Sequence, residues 1–379
     1  MVSAPALKVA LFSNQFASAS GHGIARYSRE LYEALASRPG LTPLPVAAWT
    51  DRTAQGMAAL AADTGLKLLP TGRRATPILW TWAGRPRLER LMRRPIDVVH
   101  AASLGYPVAT ARPYVVTVHD LGPLTHPEYF TNTRPWVMQK SLDHAVAQAC
   151  AIVCVSEATK AELLHYAGAH LEPRVEVVHE GVAALPQAAG RAAMAHLDLP
   201  PVGVPFVLAT GKISPRKNIL GVMEAMAGLR ATLPHHLVIA GGDGWAVADV
   251  YAAVKRLGLE GRIHFPGFVT DAELATLYAE AAVYVHPSFY EGFGLTVLEA
   301  MAAGTPVVAA DRSSLPEVAG EAALLVDPAD VDALAQAILR LSTDEALTAN
   351  LRARGHARAA TFTWEAAAEA MESIYRERM

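Results

Sequence analysis

Short apolar runs recur along the chain, separated by stretches in which apolar positions return every third or fourth residue. That pattern predicts strands alternating with helices. In the first half the runs are Lys8–Ser13, Pro45–Trp49, Asp97–Ala101, Tyr114–Val118, Ala151–Val155 and Val175–Val178, with an amphipathic helix over Ile24–Leu35. In the second half they are Phe206–Thr210, Leu237–Ala240, Arg262–Phe265, Val283–His286, Val307–Ala309 and Ala323–Val326, with helices over Ile219–Leu229 and Asp271–Ala281. Most of these runs are apolar throughout, so both faces of each strand are expected to be covered, as in parallel sheets wound on both sides by helices. Between the halves, Pro186, Pro200, Pro201, Gly203 and Pro205 mark a boundary. The expected organisation is a domain over 1–181, a linker over 182–204 interrupted by a short helix near Gly190–His196, a second domain over 205–361 and a terminal amphipathic helix over 362–379, apolar-periodic from Phe362 to Tyr375.

Composition narrows the function. The 379 residues suffice for two cores, and a formal net charge of −3 argues against nucleic acid as a partner. The two cysteines, Cys150 and Cys154, form no secreted disulfide framework and lack a second ligand pair for zinc; they read as small core residues. The start, MVSAPALKVALFSN, has neither the length of a membrane span nor the basic region of a signal peptide, so a cytoplasmic location is expected. One stretch, residues 73–94, stands apart. It carries Arg73, Arg74, Arg85, Arg87, Arg90, Arg93 and Arg94 with Trp80 and Trp82 against the single acid Glu89. It suits peripheral contact with anionic lipid headgroups or a phosphate-bearing acceptor. It is equally a solvated helix surface whose tryptophans, with Leu88 and Leu91, are core.

The densest chemistry lies in EGFGLTVLEAMAAGTPVV, Glu291–Val308. A turn at Gly292 and Gly294 precedes a short helix whose first N–H groups, at Phe293, Gly294, Leu295 and Thr296, are available to an anion. Glu291 lies before that helix and Glu299 about a turn into it, so they can grip hydroxyls on either side of bound phosphates. Taken alone, the segment is also an ordinary buried strand–loop–helix unit. The loop GKISPRKN places Lys212, Arg216 and Lys217 after the strand Phe206–Thr210, where a diphosphate would find a lysine and an arginine fork, or where the loop is a solvated basic turn. Ser20-Gly21-His22-Gly23 is a glycine loop before a helix, and His119-Asp120 follows the strand Tyr114–Val118; both positions allow ligand contact or plain loop support. Gly241–Gly244 reads as a turn, while Phe268 and Val269, in FPGFV, offer a backbone edge to a nucleobase. Ser156 and Asp330 read as helix caps. No metal constellation and no nucleophile elbow is apparent, so neither a metal nor another cofactor is expected.

These stretches, together with SSLPEVAG and ALLVDP within 313–328, resemble the retaining, nucleotide-sugar-dependent glycosyltransferases of family 4, which have the α/β GT-B fold. TVHDLGPLTHPEYF and VSEATKAELL are similar to the bacterial branch containing mannosyltransferases of surface-polysaccharide assembly. The resemblance implies two Rossmann-like domains with parallel sheets facing across a cleft, an N-terminal acceptor-binding domain, a C-terminal donor-binding domain, and a last helix crossing back to the first. It implies Arg216 and Lys217 on the donor diphosphate, Glu299 on ribose hydroxyls, Glu291 on hydroxyls of the transferred sugar, and the Phe293–Thr296 amides on sugar and phosphates. Gly23 would close on the β-phosphate and His119 would approach the donor sugar. The chain departs from many relatives in having Asn218 where they carry glycine. The implied partners are a nucleotide-diphosphate sugar, with GDP-mannose preferred over UDP-sugars, and a glycan, lipid-linked or small-molecule acceptor. A nucleotide-sugar epimerase of the same fold and a non-catalytic sugar-nucleotide-binding protein are the alternatives.

Overall fold

The computed structural model describes residues 6–17, 23–48, 65–130, 135–184, 186–245 and 247–379, with the backbone alone at Arg73, Arg74 and Pro77. Ser20, Gly21 and His22 of the first glycine loop lie outside the described residues. The chain divides into two compact units, Met1–Gly181 with Thr363–Met379, and Val182–Phe362.

The first unit holds a seven-stranded sheet of β1 (Leu7–Phe12), β2 (Leu41–Ala48), β3 (Lys67–Leu69), β4 (Val98–Ala101), β5 (Tyr114–Val118), β6 (Ala151–Cys154) and β7 (Val175–Val177). Its order is β3-β2-β1-β4-β5-β6-β7 and every pairing is parallel. Val9, Val99, Val116 and Ile152 are fully buried, as two-sided coverage of apolar strands requires. β2 begins four residues before the expected Pro45, despite Pro43. The backbone of Leu7 donates to Gly40 and that of Ser13 to Val46, so the alternating positions Pro43 and Pro45 turn away from β1. On that side β3 pairs only from Val46 onward, so neither proline withholds an N–H from a partner.

The helix Trp364–Glu377 completes this unit, packing on the helix Ile24–Ala36. Met371 and Tyr375 are fully buried. The phenol of Tyr375 bonds His100 Nδ1 at 2.8 Å, His100 Nε2 bonds the Thr117 hydroxyl at 2.8 Å, and that hydroxyl meets the Tyr27 phenol at 2.8 Å. Burial, with the charge of His119 added, pulls the His100 imidazole down to about 3, so it is neutral and serves as a hydrogen-bond link. Gly181 lies so close to this segment that a Cβ there would fall 2.3 Å from the Trp364 backbone nitrogen.

The second unit has a six-stranded sheet of β8 (Phe206–Thr210), β9 (His236–Ala240), β10 (Ile263–Gly267), β11 (Val283–His286), β12 (Val307–Ala310) and β13 (Ala323–Val326). Its order is β10-β9-β8-β11-β12-β13, again parallel throughout. Strand order reverses between β8 and β11. Ligands of open α/β sheets gather at the carboxyl ends of strands at such a reversal. Helix ends follow their capping chemistry: Asp330 accepts from Ala333 N–H at 2.9 Å, and Thr270 with Glu273 forms a reciprocal cap. The proline-rich segment after Gly181 holds a short 3-10 helix, Arg191–Met194, within the stretch Gly190–His196 where a short helix is expected. Met194 is buried, and the Asp198 carboxylate accepts from His264 Nδ1 at 2.8 Å and from Phe265 N–H at 2.9 Å, which ties the segment to β10.

Candidate active site

The loops after β8 and β11 meet at the reversal of the second sheet. Gly211, with φ of 116°, leads out of β8, and a Cβ on it would sit 3.0 Å from Lys217 Cε, so the lysine stem lies over the glycine. The neighbouring glycine loop supports this backbone. Ile213 N–H donates to Gly242 O at 3.2 Å, Trp245 N–H donates to Ile213 O at 3.2 Å, and a Cβ on Gly241 or Gly244 would fall 2.2 Å from a carbonyl oxygen of Gly211 or Ile213. Gly241–Gly244 is thus a backbone-to-backbone brace for the cationic loop. A 3-10 turn, Pro215–Lys217, follows, and Asn218 adopts the left-handed conformation (φ 52°, ψ 41°) before the helix Ile219–Leu229. Among residues with a Cβ, asparagine tolerates this conformation best, and here its side-chain amide also donates to Pro328 O at 2.6 Å. The departure from glycine therefore preserves the helix start.

Arg216 and Lys217 converge on one carboxylate. Arg216 Nη1 is 2.6 Å from Glu291 Oε2, Lys217 Nζ is 2.7 Å from Glu291 Oε1, and His286 Nε2 reaches the same Oε1 at 3.1 Å. Arg216 also donates to Tyr290 O at 2.7 Å and accepts from Phe289 N–H at 2.8 Å through its own carbonyl, which locks the two loops together. The Glu291 backbone is held in turn: the Ser313 and Ser314 hydroxyls both donate to its carbonyl. Ser313 takes a positive φ of 57° to do so.

Burial by itself pushes the Glu291 carboxyl up, but Arg216, then Lys217, outweigh it and hold the group well below the usual carboxylate range. Burial pulls the Lys217 ammonium down; Glu291 opposes this, Arg216 adds to it, and the net direction is downward. Burial and the Lys217 charge bring His286 to about 4, so its ring is neutral near pH 7. An arginine and a lysine thus share one carboxylate, so the cluster has one more basic group than acidic. Glu291, expected on sugar hydroxyls, also pairs with both cationic side chains.

Immediately beyond, Gly294 (φ 126°) starts the helix Leu295–Ala302. A Cβ at Gly294 would lie 2.9 Å from Leu315 Cδ2, so a side chain is excluded by space as well as by backbone. The first N–H groups of this helix have no intrahelical acceptor and carry its positive dipole end, which adds to the cationic character of the loop. Glu299 is buried on that helix and accepts from the Tyr278 phenol at 3.1 Å. Lys212 is exposed and Phe268 is 58% exposed, whereas Val269 is buried.

The first unit places its candidates at the carboxyl ends of β1 and β5. Gly23 precedes the helix Ile24–Ala36 with φ of 57° and open space where a Cβ would be. His119 has both ring nitrogens engaged: Nε2 is 2.8 Å from the Ala102 carbonyl and Nδ1 is 3.0 Å from Glu180 Oε1. Burial pulls its pKa down, but the hydrogen bond and charge of Glu180, the Ala102 carbonyl and Asp120 together raise it. A carbonyl and a carboxylate both accept, so a ring meeting the two carries an N–H on each nitrogen. These contacts favour the imidazolium form of His119, which cannot act as a base. Tyr27 packs edge-on against it at 4.6 Å and against Trp364 at 5.7 Å.

Sequence reasoning passed over His286, Tyr284, Tyr278, Ser313, Ser314 and Glu180 as site residues. For His286 and Tyr284 a signal existed, since polar side chains end a central strand that is otherwise apolar. For Glu180, sixty-one positions from His119, there was none. Among the described residues no group of three or more His, Cys, Asp or Glu side chains is arranged to hold a metal ion.

Comparison with known proteins gives this geometry its family. Residues 199–358 match the family model for glycosyl transferases group 1, and residues 21–184 match that for glycosyltransferase family 4. The chain is 35% identical over 257 residues to O-antigen chain mannosyltransferase B of Escherichia coli, covering 66% of this chain and 67% of the relative. It is 30% identical over 260 residues to the serotype-specific mannosyltransferase WbdA of Escherichia coli, of whose length it spans 32%. Among solved structures, HepE of Anabaena in complex with UDP and glucose superposes with a TM-score of 0.74 at 19% identity, covering 98% of this chain and 100% of that one. With its two parallel-sheet units and the converging cations of the second, the chain belongs to the family 4, group 1 glycosyltransferases of the GT-B fold.

Proposed function

We propose that the protein transfers a sugar, with mannose from GDP-mannose the preferred pair, to a hydroxyl of a glycan, lipid-linked or small-molecule acceptor, with retention of configuration. The observation that carries this reading is the sharing of the single Glu291 carboxylate by Arg216 and Lys217, beside a helix N-terminus and at a sheet reversal. Such a cluster has a basic group in excess of its carboxylate, and the negative charge of a nucleoside diphosphate complements it. Breaking the bond to the anomeric carbon places further negative charge on that leaving group. Preorganised cations and helix amides stabilise the developing charge without reorganising at the moment of reaction. Glu291 is assigned to hydroxyls of the transferred sugar once the cations turn to phosphate, and Glu299 to ribose hydroxyls. Attack comes from the acceptor on the face the leaving group departs, with the leaving phosphate as base. His119 is assigned to a sugar hydroxyl only by exchange of one of its two present bonds. Mannose is preferred because two relatives are named mannosyltransferases; HepE, with UDP and glucose, keeps UDP-sugars in contention.

A thermal-shift panel of GDP-mannose, UDP-glucose, GDP and UDP tests this reading. A donor at 100 times its dissociation constant should add about 2.7 kcal/mol of stability, a shift of several degrees. No response to any member would overturn the assignment, and sugar conversion without acceptor would replace transfer by epimerisation.

Peripheral membrane contact is the second part of the proposal. Among the described residues no helix is long and apolar enough to cross a membrane. On the helix Gly72–Ala83, however, Ile78 and Trp82 are 60% and 79% exposed and Leu79 shares their face, while Trp80 is buried with its indole N–H on Pro86 O at 2.8 Å. Exposed Arg85, Arg87, Arg90, Arg93 and Arg94 follow. An apolar wedge flanked by cations suits an anionic bilayer surface. Co-sedimentation with phosphatidylglycerol vesicles should be salt-sensitive and weakened by Trp82→Ser; equal recovery on neutral vesicles would refute it.

A further inference from the structure

Glu291 is held by three donors of different kinds. Arg216 and Lys217 are charged, sit on a loop, and keep 21% and 12% of their side chains exposed. His286 is neutral, 2% exposed, and ends the central strand β11. Its tautomer follows from its partners. Glu291 is an ionised carboxylate and can only accept, so the single ring proton lies on Nε2 and points at Oε1, 3.1 Å away. Nδ1 is then an acceptor. It faces the Tyr284 phenol at 2.9 Å and, more distantly, the Thr296 hydroxyl at 3.4 Å. Tyr284 is fully buried, stays protonated because burial pushes its phenol up, and commits that proton to Nδ1. Its oxygen in turn accepts from the Thr210 hydroxyl at 2.7 Å. Donation therefore runs one way, from Thr210 at the end of β8, through Tyr284 and His286 of β11, to Glu291. The Ser288 hydroxyl, 3.3 Å from Nε2, lies beside the last link.

We propose that His286 is the positioning residue of this site: the chain from Thr210 through Tyr284 fixes its Nε2–H, which holds the Glu291 carboxylate in place when Arg216 and Lys217 turn toward an anionic ligand. Only the last part rests on the glycosyltransferase reading; the fixed tautomer follows from the hydrogen bonds alone. A carboxylate that lost both cations in this buried position would otherwise drift or take up a proton. The neutral donor keeps it ionised and aimed, and it cannot leave for the phosphate because it is part of the sheet.

Two measurements test this. In the first, long-range proton–nitrogen NMR of histidine-labelled wild-type protein should show His286 with an unprotonated Nδ1 and a protonated Nε2, both without ligand and with GDP or UDP added. A protonated Nδ1 in either state overturns the proposal, whereas the absence of any spectral response to both nucleotides counts against the functional reading alone. In the second, His286→Phe, which keeps a ring of similar size without a donor, should lower kcat by about 10–100-fold, the same loss as on removing a residue that orients a metal ligand. KM for the donor should change by only a few-fold, and His286→Gln, whose amide can again donate to Oε1, should recover part of the loss. Tyr284→Phe should give a smaller kcat loss and a mixed-tautomer NMR signal, and serves if His286→Phe does not fold. Wild-type kcat in folded His286→Phe, or a loss carried wholly by KM, would overturn the positioning role.

Discussion

Glu291→Gln is expected to lower sugar transfer by about 10²–10³-fold while tightening the hold on a bare nucleoside diphosphate by about tenfold. The two changes run in opposite directions because the carboxylate plays against the phosphate. It pairs with both Arg216 and Lys217, so an incoming diphosphate must compete with it. Glutamine keeps the volume but removes that competition, and GDP or UDP then meets two unneutralised cations. Turnover falls because an uncharged amide neither draws His286 Nε2–H as strongly nor grips sugar hydroxyls as a carboxylate does. The folded variant should be less stable by about 1–3 kcal/mol, the penalty for a partly buried cation pair left without its counter-charge. The pH dependence carries a further sign. The folded carboxyl is held below its ordinary 4.5, so its stabilisation is complete above that value and is lost as pH falls through the folded value. Glu291→Gln should lack that acid limb. Isothermal titration with GDP and UDP, beside single-turnover transfer, measures both changes; wild-type turnover or weaker binding of both diphosphates would refute the competition.

Lys217→Ala should act in the other sense, losing diphosphate affinity by about 10–100-fold and transfer by about 10²–10³-fold. Lys217 lies over Gly211, packed where a Cβ would fall 3.0 Å from its Cε, so the ammonium reaches Glu291 from a fixed direction. Alanine removes that charge yet leaves Arg216 and His286 on the carboxylate, so the loop should keep its shape. Unchanged thermal stability without ligand, combined with a lost thermal shift by nucleotide, is the expected signature. Full activity in this variant would place the phosphate elsewhere.

The sheets were readable in the sequence because their strands are apolar on both faces; β8, β11 and β13 carry the boundaries that the apolar runs indicate. The early start of β2 was not, since its prolines are acceptable only where no neighbouring strand needs their N–H, a fact of tertiary pairing. β3, three residues long, is too short to produce a period. At the site, the cations, the glutamates and the helix start were each visible as residue types at the ends of strands. Their mutual arrangement was not, because Lys217 and Glu291 are 74 positions apart and nothing local says that one neutralises the other. Asn218 shows how a local rule survives a change of residue: the backbone conformation is kept and the side chain gains a bond to Pro328.

The composition of the first unit bears on how the chain is made. Its sheet strands are all synthesised before residue 182, whereas the helix that covers Tyr27, His100 and Thr117 comes only after the whole second unit has been translated. Domains of a nascent chain generally fold as they emerge. Here the first to emerge must wait, with His100 lacking its Tyr375 partner, until residues 363–379 have left the ribosome. A chain stopped short of Thr363 would therefore carry a finished second unit beside an open first one, exposed to proteases at the helix Ile24–Ala36 that Trp364–Glu377 normally covers.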